Sequence, residues 1–254
     1  MATIENSTNG TEPATSTQTE NGTYVDGGKP YERDMRYVTT RITKDGRDGF
    51  TPEAGRYRLV AARACPWANR TLIIRRLLGL EDAISIGLPG PTHDKNSWTF
   101  NLDEGGKDPV LGYERLQEAY FALDPDYPLG ITVPAIVDTT TGKLVTNDFD
   151  QITRDFSSEW TDFHREGAPN LWPADQLEEM EEVMKRIFTE VNNGVYRCGF
   201  AGSQEHYEDA YDRLWTAMDW LEDRLADRRY LMGEHITEAD VRLFTTFVRF
   251  DAAY

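Results

Sequence analysis

Cysteine is nearly missing from this chain, with two among 254 residues, Cys65 and Cys198. Two thiols so far apart build no disulfide framework, and a reducing cytoplasm is their natural compartment. Histidine is equally scarce, and His93, His164, His206 and His235 show no metal-ligand spacing. Long hydrophobic runs are also lacking. None approaches the ~20 residues that a membrane-spanning helix needs. Basic residues are outnumbered, 27 Lys and Arg against 44 Asp and Glu, for a formal charge of -17. Such a surface repels phosphate on average, which argues against a nucleic-acid groove, and it is equally compatible with adaptation to salt.

Material for a core is plentiful: 39% hydrophobic residues, with six Trp, twelve Tyr and eleven Phe. That suffices for one large domain or two ordinary ones. The first 28 residues are an exception, rich in Ser, Thr, Asn, Glu and Gly, and read as a disordered tail. This tail lacks the basic start and apolar centre of a signal peptide. Its three sequons, at Asn6, Asn9 and Asn21, follow from composition and would matter only in a secreted protein.

Order is expected from Lys29 onward. Arg56 to Ala62 reads as a strand, followed by a helix with Pro66 in its first turn and Gly79 at its end. A second strand is expected over Ala83 to Leu88, then a polar insertion over about 89–128. A strand pair follows, entered through Val133-Pro134 and turning at Thr141-Gly142, and "FDQITRDF" reads as a closing helix. Beyond it the pattern turns helical. Leu177, Met180, Val183, Met184, Ile187, Phe188 and Val191 recur at helical spacing, as do Tyr207, Ala210, Tyr211, Leu214, Trp215, Met218, Leu221 and Leu225. Both stripes read as core. Thr237 to Asp240 forms a capping box flanked by Ile236 and Val241, opening a helix that runs to Tyr254 with an aromatic face. That uncapped face reads as a chain cut short within a helical domain.

"ARACPWANR", residues 62–70, sets Cys65 at the strand-to-helix junction. One reading makes it a small core residue. The other makes it a thiolate held by helix-start N–H groups and the helix dipole, a setting that brings a cysteine pKa down to roughly 3.5–7.5.

The strand–helix half followed by an all-helical half resembles the glutathione transferases. "ACPWANRT", "SWTF", "TVPAIVD", "NNGVYRCGFA" and "ITEADVRLFTTFVRFD" together resemble the xi class of that family, the glutathionyl-hydroquinone reductases, from about Lys29 to the end. The resemblance implies an α/β thioredoxin-like thiol-binding domain over 29–156, a linker over 157–174, and an all-α C-terminal domain over 175–254 that is incomplete. It implies that Cys65 is the catalytic cysteine and Tyr196 an active-site tyrosine, with Pro134 in the cis form facing Cys65. Trp98 would pack against the thiol co-substrate, and the Val133 backbone would bind its cysteinyl part. The expected co-substrate is glutathione or another low-molecular-weight thiol, without metal or nucleotide. The expected substrate is an aromatic, hydroquinone-type thioether, and the full-length protein is expected to be a cytoplasmic homodimer without nucleic-acid or membrane partners. Cys198 has no matching role and reads as structural.

Three departures weaken the pocket for glutathione. Where the family usually has Glu-Ser to hold the γ-glutamyl arm, this chain has Asp148 and Phe149; Gly130 stands in place of an arginine, and Asn69 in place of a histidine. The thiol is therefore either loosely bound glutathione or one without a γ-glutamyl group, such as mycothiol. Dehydroascorbate or disulfide reduction is the enzymatic alternative, and a non-enzymatic ligand-binding or interaction module the remaining one.

Overall fold

A computed structural model describes residues 29–91 and 93–254; the expected N-terminal tail and its sequons lie outside them. The strand ahead of Cys65 forms at Tyr57–Val60 (β1), with all four residues buried. Helix α1 (Pro66–Leu78) starts with Pro66 in its first turn and ends on Gly79 at φ 75°. A side chain at Gly79 would be strained there, and its Cβ would fall 2.5 Å from Arg165 Cβ. β2 (Ile84–Gly87) pairs parallel with β1, whereas β3 (Ala135–Asp138) pairs antiparallel with β1 and with β4 (Leu144–Thr146). The sheet order β2-β1-β3-β4 thus places the β1–α1 junction and the entry to β3 side by side. The strands are shorter at both ends than their apolar runs suggest.

The insertion is not loose. It contains helix α2 (Gln117–Leu123), and Phe100, Leu116, Ala119 and Tyr120 sink into the sheet's core. Asp108 reaches back to β1 in a buried pair with Arg58 at 2.7 Å, and accepts from the N–H groups of Val110 and Leu111. Helix α3 (Phe149–Ser158) packs on α1. The stretch expected as a linker also joins this core, burying Trp160 and Leu171 fully.

The second half is helical: α4 (Leu177–Arg186), a π-helical turn over Ile187–Asn192, α5 (Gly194–Gly199), α6 (Gln204–Leu225), α7 (Glu238–Phe247) and α8 (Phe250–Ala253). The first periodic stripe buries Met180, Val183, Met184, Ile187 and Val191 as expected. The second stripe divides. Ala210, Leu214, Ala217 and Leu221 face inward, while Tyr207, Tyr211 and Trp215 are 40%, 43% and 42% exposed. Spaced four apart, those three aromatics form their own ladder, turned away from the buried row on the same helix. The capping box at Thr237 and Asp240 is present, but the helix it opens does not run unbroken to Tyr254. Arg249 leaves helical geometry (φ -121°, ψ 7°), and its guanidinium reaches the carbonyl of Ala64 at 2.6 Å. No helix among the described residues is long and apolar enough to cross a membrane.

α7 packs on α1, and a buried ionic joint ties it to α3. Arg242 donates Nε to Glu238 at 2.9 Å and Nη1 to Asp150, while Thr153 donates its hydroxyl to Glu238 at 2.6 Å. On the α1 side, Arg70 donates to Asn192 at 2.7 Å, and Asn192 passes its own amide protons to the Arg242 carbonyl and the Thr246 hydroxyl.

Candidate active site

Cys65 is the N-cap residue of α1, in extended backbone geometry, and makes no side-chain cap of its own. Its thiol donates to the carbonyl oxygen of Val133 at 3.7 Å, across the cis Val133–Pro134 bond. Two hydrogen bonds steady that facing segment. Tyr120 donates its hydroxyl to the Thr132 carbonyl at 2.8 Å, and Asn147 donates its amide to the Thr132 hydroxyl at 2.9 Å. Cys65, Val133 and Pro134 therefore come together at the β1–α1 junction.

Burial pushes the Cys65 thiol above its ordinary value, opposed by the Trp67 and Ala68 N–H groups and by the charges of Arg33 and Arg249. This corrects the expectation of a depressed pKa from the helix start. The N–H groups act in the expected direction, but removing the thiolate from water costs more.

Tyr196 lies on α5, 6.0 Å from Trp67 between ring centroids, and its hydroxyl oxygen accepts from the Trp67 indole N–H at 3.2 Å. Burial raises its pKa, as do the neighbouring Tyr254 and Cys65, so the phenol keeps its proton at neutral pH. α5 can sit tightly against α6 because Gly194 lacks a Cβ, which would come 3.3 Å from Leu214 Cδ1.

Trp98 stands apart from this group, packed on the sheet's core and edge-on to His93 at 5.2 Å. Asp148 is the N-cap of α3, and its carboxylate accepts from the N–H groups of Asp150 and Gln151. Phe149 is buried, 4.7 Å from Trp67 and 5.5 Å from Tyr37 between centroids. Neither side chain at the start of α3 can donate to a ligand carboxylate: Asp148 is itself a carboxylate whose Oδ1 accepts both N–H groups, and Phe149 has no polar atom. Cys198 packs on the helical core, where burial pushes its thiol up.

The sequence reading missed the segment that crosses this cleft. Tyr31 stacks on Tyr196 with centroids 6.0 Å apart, and the Arg33 guanidinium lies 4.1 Å from the Trp67 ring centre and 4.6 Å from that of Tyr196. Arg33 Nε donates to Asn193 at 2.7 Å across 160 residues of sequence. No local spacing marks such a residue; the Asn-Asn-Gly-Val-Tyr stretch was the one signal, as Asn193 is its partner.

The glutathione S-transferase N-terminal domain model matches residues 64–159, and the C-terminal domain model residues 204–254. The chain is 40% identical over 232 residues to the glutathionyl-hydroquinone reductase PcpF of Sphingobium chlorophenolicum, covering 90% of this chain and 71% of that protein. A crystal structure of a glutathione transferase from Gordonia bronchialis is 68% identical, with a TM-score of 0.85, over 86% of this chain and 68% of that one. The glutathione-bound structure of YqjG, a glutathione transferase homologue from Escherichia coli, is 37% identical with a TM-score of 0.79, over 89% of this chain and 75% of that one.

Proposed function

This chain belongs to the glutathione transferases, within the xi class of glutathionyl-hydroquinone reductases, and from that membership we propose that it is a cysteine-dependent reductase of S-glutathionyl-hydroquinones. The observation that carries this reading is the placement of the Cys65 thiol at the start of α1, against the Val133 carbonyl and with Trp67 and Tyr196 at hand. A sulfur nucleophile stands there beside an aromatic cluster of Trp67, Tyr196 and Tyr31.

In this reading the ring carbon that carries sulfur is first protonated, giving the keto form. The Cys65 thiolate then attacks the thioether sulfur. An S–S bond forms as the C–S bond breaks, and the electron pair passes into the ring as an enolate, which takes a proton and leaves as the hydroquinone. A second thiol attacks the mixed disulfide and frees Cys65. The N–H groups of Trp67 and Ala68 receive the thiolate's charge, and Tyr196, still protonated, donates to a ring oxygen. Val133 and Pro134 offer the thiol co-substrate an extended edge.

Glutathione is the proposed thiol. A second thiol without a γ-glutamyl arm, such as mycothiol, is favoured by one observation: Asp148 already fills the start of α3 and Phe149 brings no hydroxyl. Thioether cleavage and disulfide reduction, each assayed with glutathione and with mycothiol, test the reading. Cleavage of the aromatic thioether with either thiol is expected. Disulfide reduction without thioether cleavage would overturn the reading.

A further inference from the structure

The arginine over the cleft is held in an unusual way. The Arg33 guanidinium carbon lies 4.1 Å from the Trp67 ring centre and 4.6 Å from that of Tyr196, in the angle between the two rings, and Nε is spent on Asn193. Nη2 is left over, buried without a hydrogen-bond partner among the described residues. The acid next along the chain, Asp34, is taken by Arg36 at 2.6 Å. A guanidinium held by two rings and by Asn193, with a buried donor unspent beside the Trp67–Tyr196 pair, is preorganised for an oxyanion on a planar ligand.

We propose that Arg33 is a catalytic residue of the first half-reaction, donating from Nη2 to the hydroquinone ring oxygen on which negative charge appears as the C–S bond breaks. This rests on the reductase reading above and deepens it. The ring anion exists only in that step. Reduction of the mixed disulfide, or of any simple disulfide, passes charge between sulfurs and places none on a ring oxygen. Arg33 thereby selects leaving groups with an oxygen conjugated to the carbon–sulfur bond.

The test compares two reactions of the full chain: cleavage of the S-glutathionyl thioether of 1,4-benzohydroquinone, and reduction of 2-hydroxyethyl disulfide. Arg33→Met is expected to slow the first about a hundredfold and the second only about threefold, the latter through the thiol alone. Arg33→Lys, which keeps the charge without the fork, is expected to recover part of the difference. Across hydroquinones of graded acidity, Arg33→Met should also show a steeper dependence on the ring oxygen's acidity. Equal losses in both reactions would make Arg33 a prop for Trp67 and Tyr196 and overturn the proposal, as would undiminished thioether cleavage in Arg33→Met. A wild type that reduces the disulfide but spares the thioether would overturn the reductase reading, and the proposal with it.

Discussion

Two arginine-centred regions of this molecule differ in how completely their polar groups are used. At the joint between α3 and α7, Arg242 is almost fully buried, and its donors go to Glu238, Asp150 and Thr153, with Glu238 also accepting from Thr153. Beside the thiol, Arg33 is only partly buried, yet one of its donors, Nη2, is buried and unspent. A saturated network specifies how two elements meet; an unsaturated one, beside a thiol, is arranged for something that arrives. The distinction separates structure from chemistry in a protein whose charged residues number 71, most of which mean neither.

The largest effect that would sharpen this contrast belongs to the cleft. Cys65→Ser is expected to lower both thioether cleavage and disulfide reduction by at least about a thousandfold. Its melting temperature should stay close to that of the wild type, since the hydroxyl is nearly isosteric with the thiol. A variant that retains a tenth of the activity would remove Cys65 from the chemistry.

At the joint the losses should fall on stability instead. Glu238→Ala leaves Arg242 buried beside one remaining carboxylate, and removing one partner of a buried pair costs about 3 to 5 kcal/mol. Urea unfolding measures it. A cost below 1 kcal/mol would mean that the joint is as dispensable as a surface ion pair. Phe149→Ser sits between the two regions. Loss of its ring from beneath Trp67 opens a cavity costing about 3 kcal/mol, and glutathione affinity by calorimetry should not improve, because Asp148 still occupies the start of α3. Tighter glutathione binding in this variant would show that the serine of the usual Glu-Ser pair had been its only missing element.

The smallest effect concerns the thiol's proton. In a Cys198→Ser background, the pH midpoint of Cys65 alkylation by iodoacetamide should lie above that of a free cysteine, because burial favours the neutral form. Arg33→Met or Arg249→Met should move it further up, each by removing a charge that favours the thiolate. A midpoint below that of a free cysteine would mean that the helix start outweighs burial after all.

Much of this molecule was legible in its sequence where the signal is local. Pro66 and Gly79 bracket α1, Thr237 and Asp240 open α7, and the Val133-Pro134 step leads into β3 opposite Cys65. Periodicity failed where two stripes share one helix. Tyr207, Tyr211 and Trp215 are as large and ring-bearing as core residues elsewhere, and only the packing of α5 and the π-helical turn on α6 decides which row is covered. The sign of the Cys65 shift was misjudged for a related reason: a helix start can be read from a Pro-containing turn, but the depth of the cleft around it cannot. Arg33 was invisible because its partners lie on α1 and α5, far along the chain.

The most direct test is a single turnover of the S-glutathionyl-hydroquinone with no free thiol present, followed by intact mass and peptide mapping. The expected result is one glutathionyl group on the Cys65 peptide, with hydroquinone released in equal amount. Hydroquinone released from a protein whose Cys65 peptide is unmodified, or an adduct that retains the ring, would contradict the mixed-disulfide mechanism.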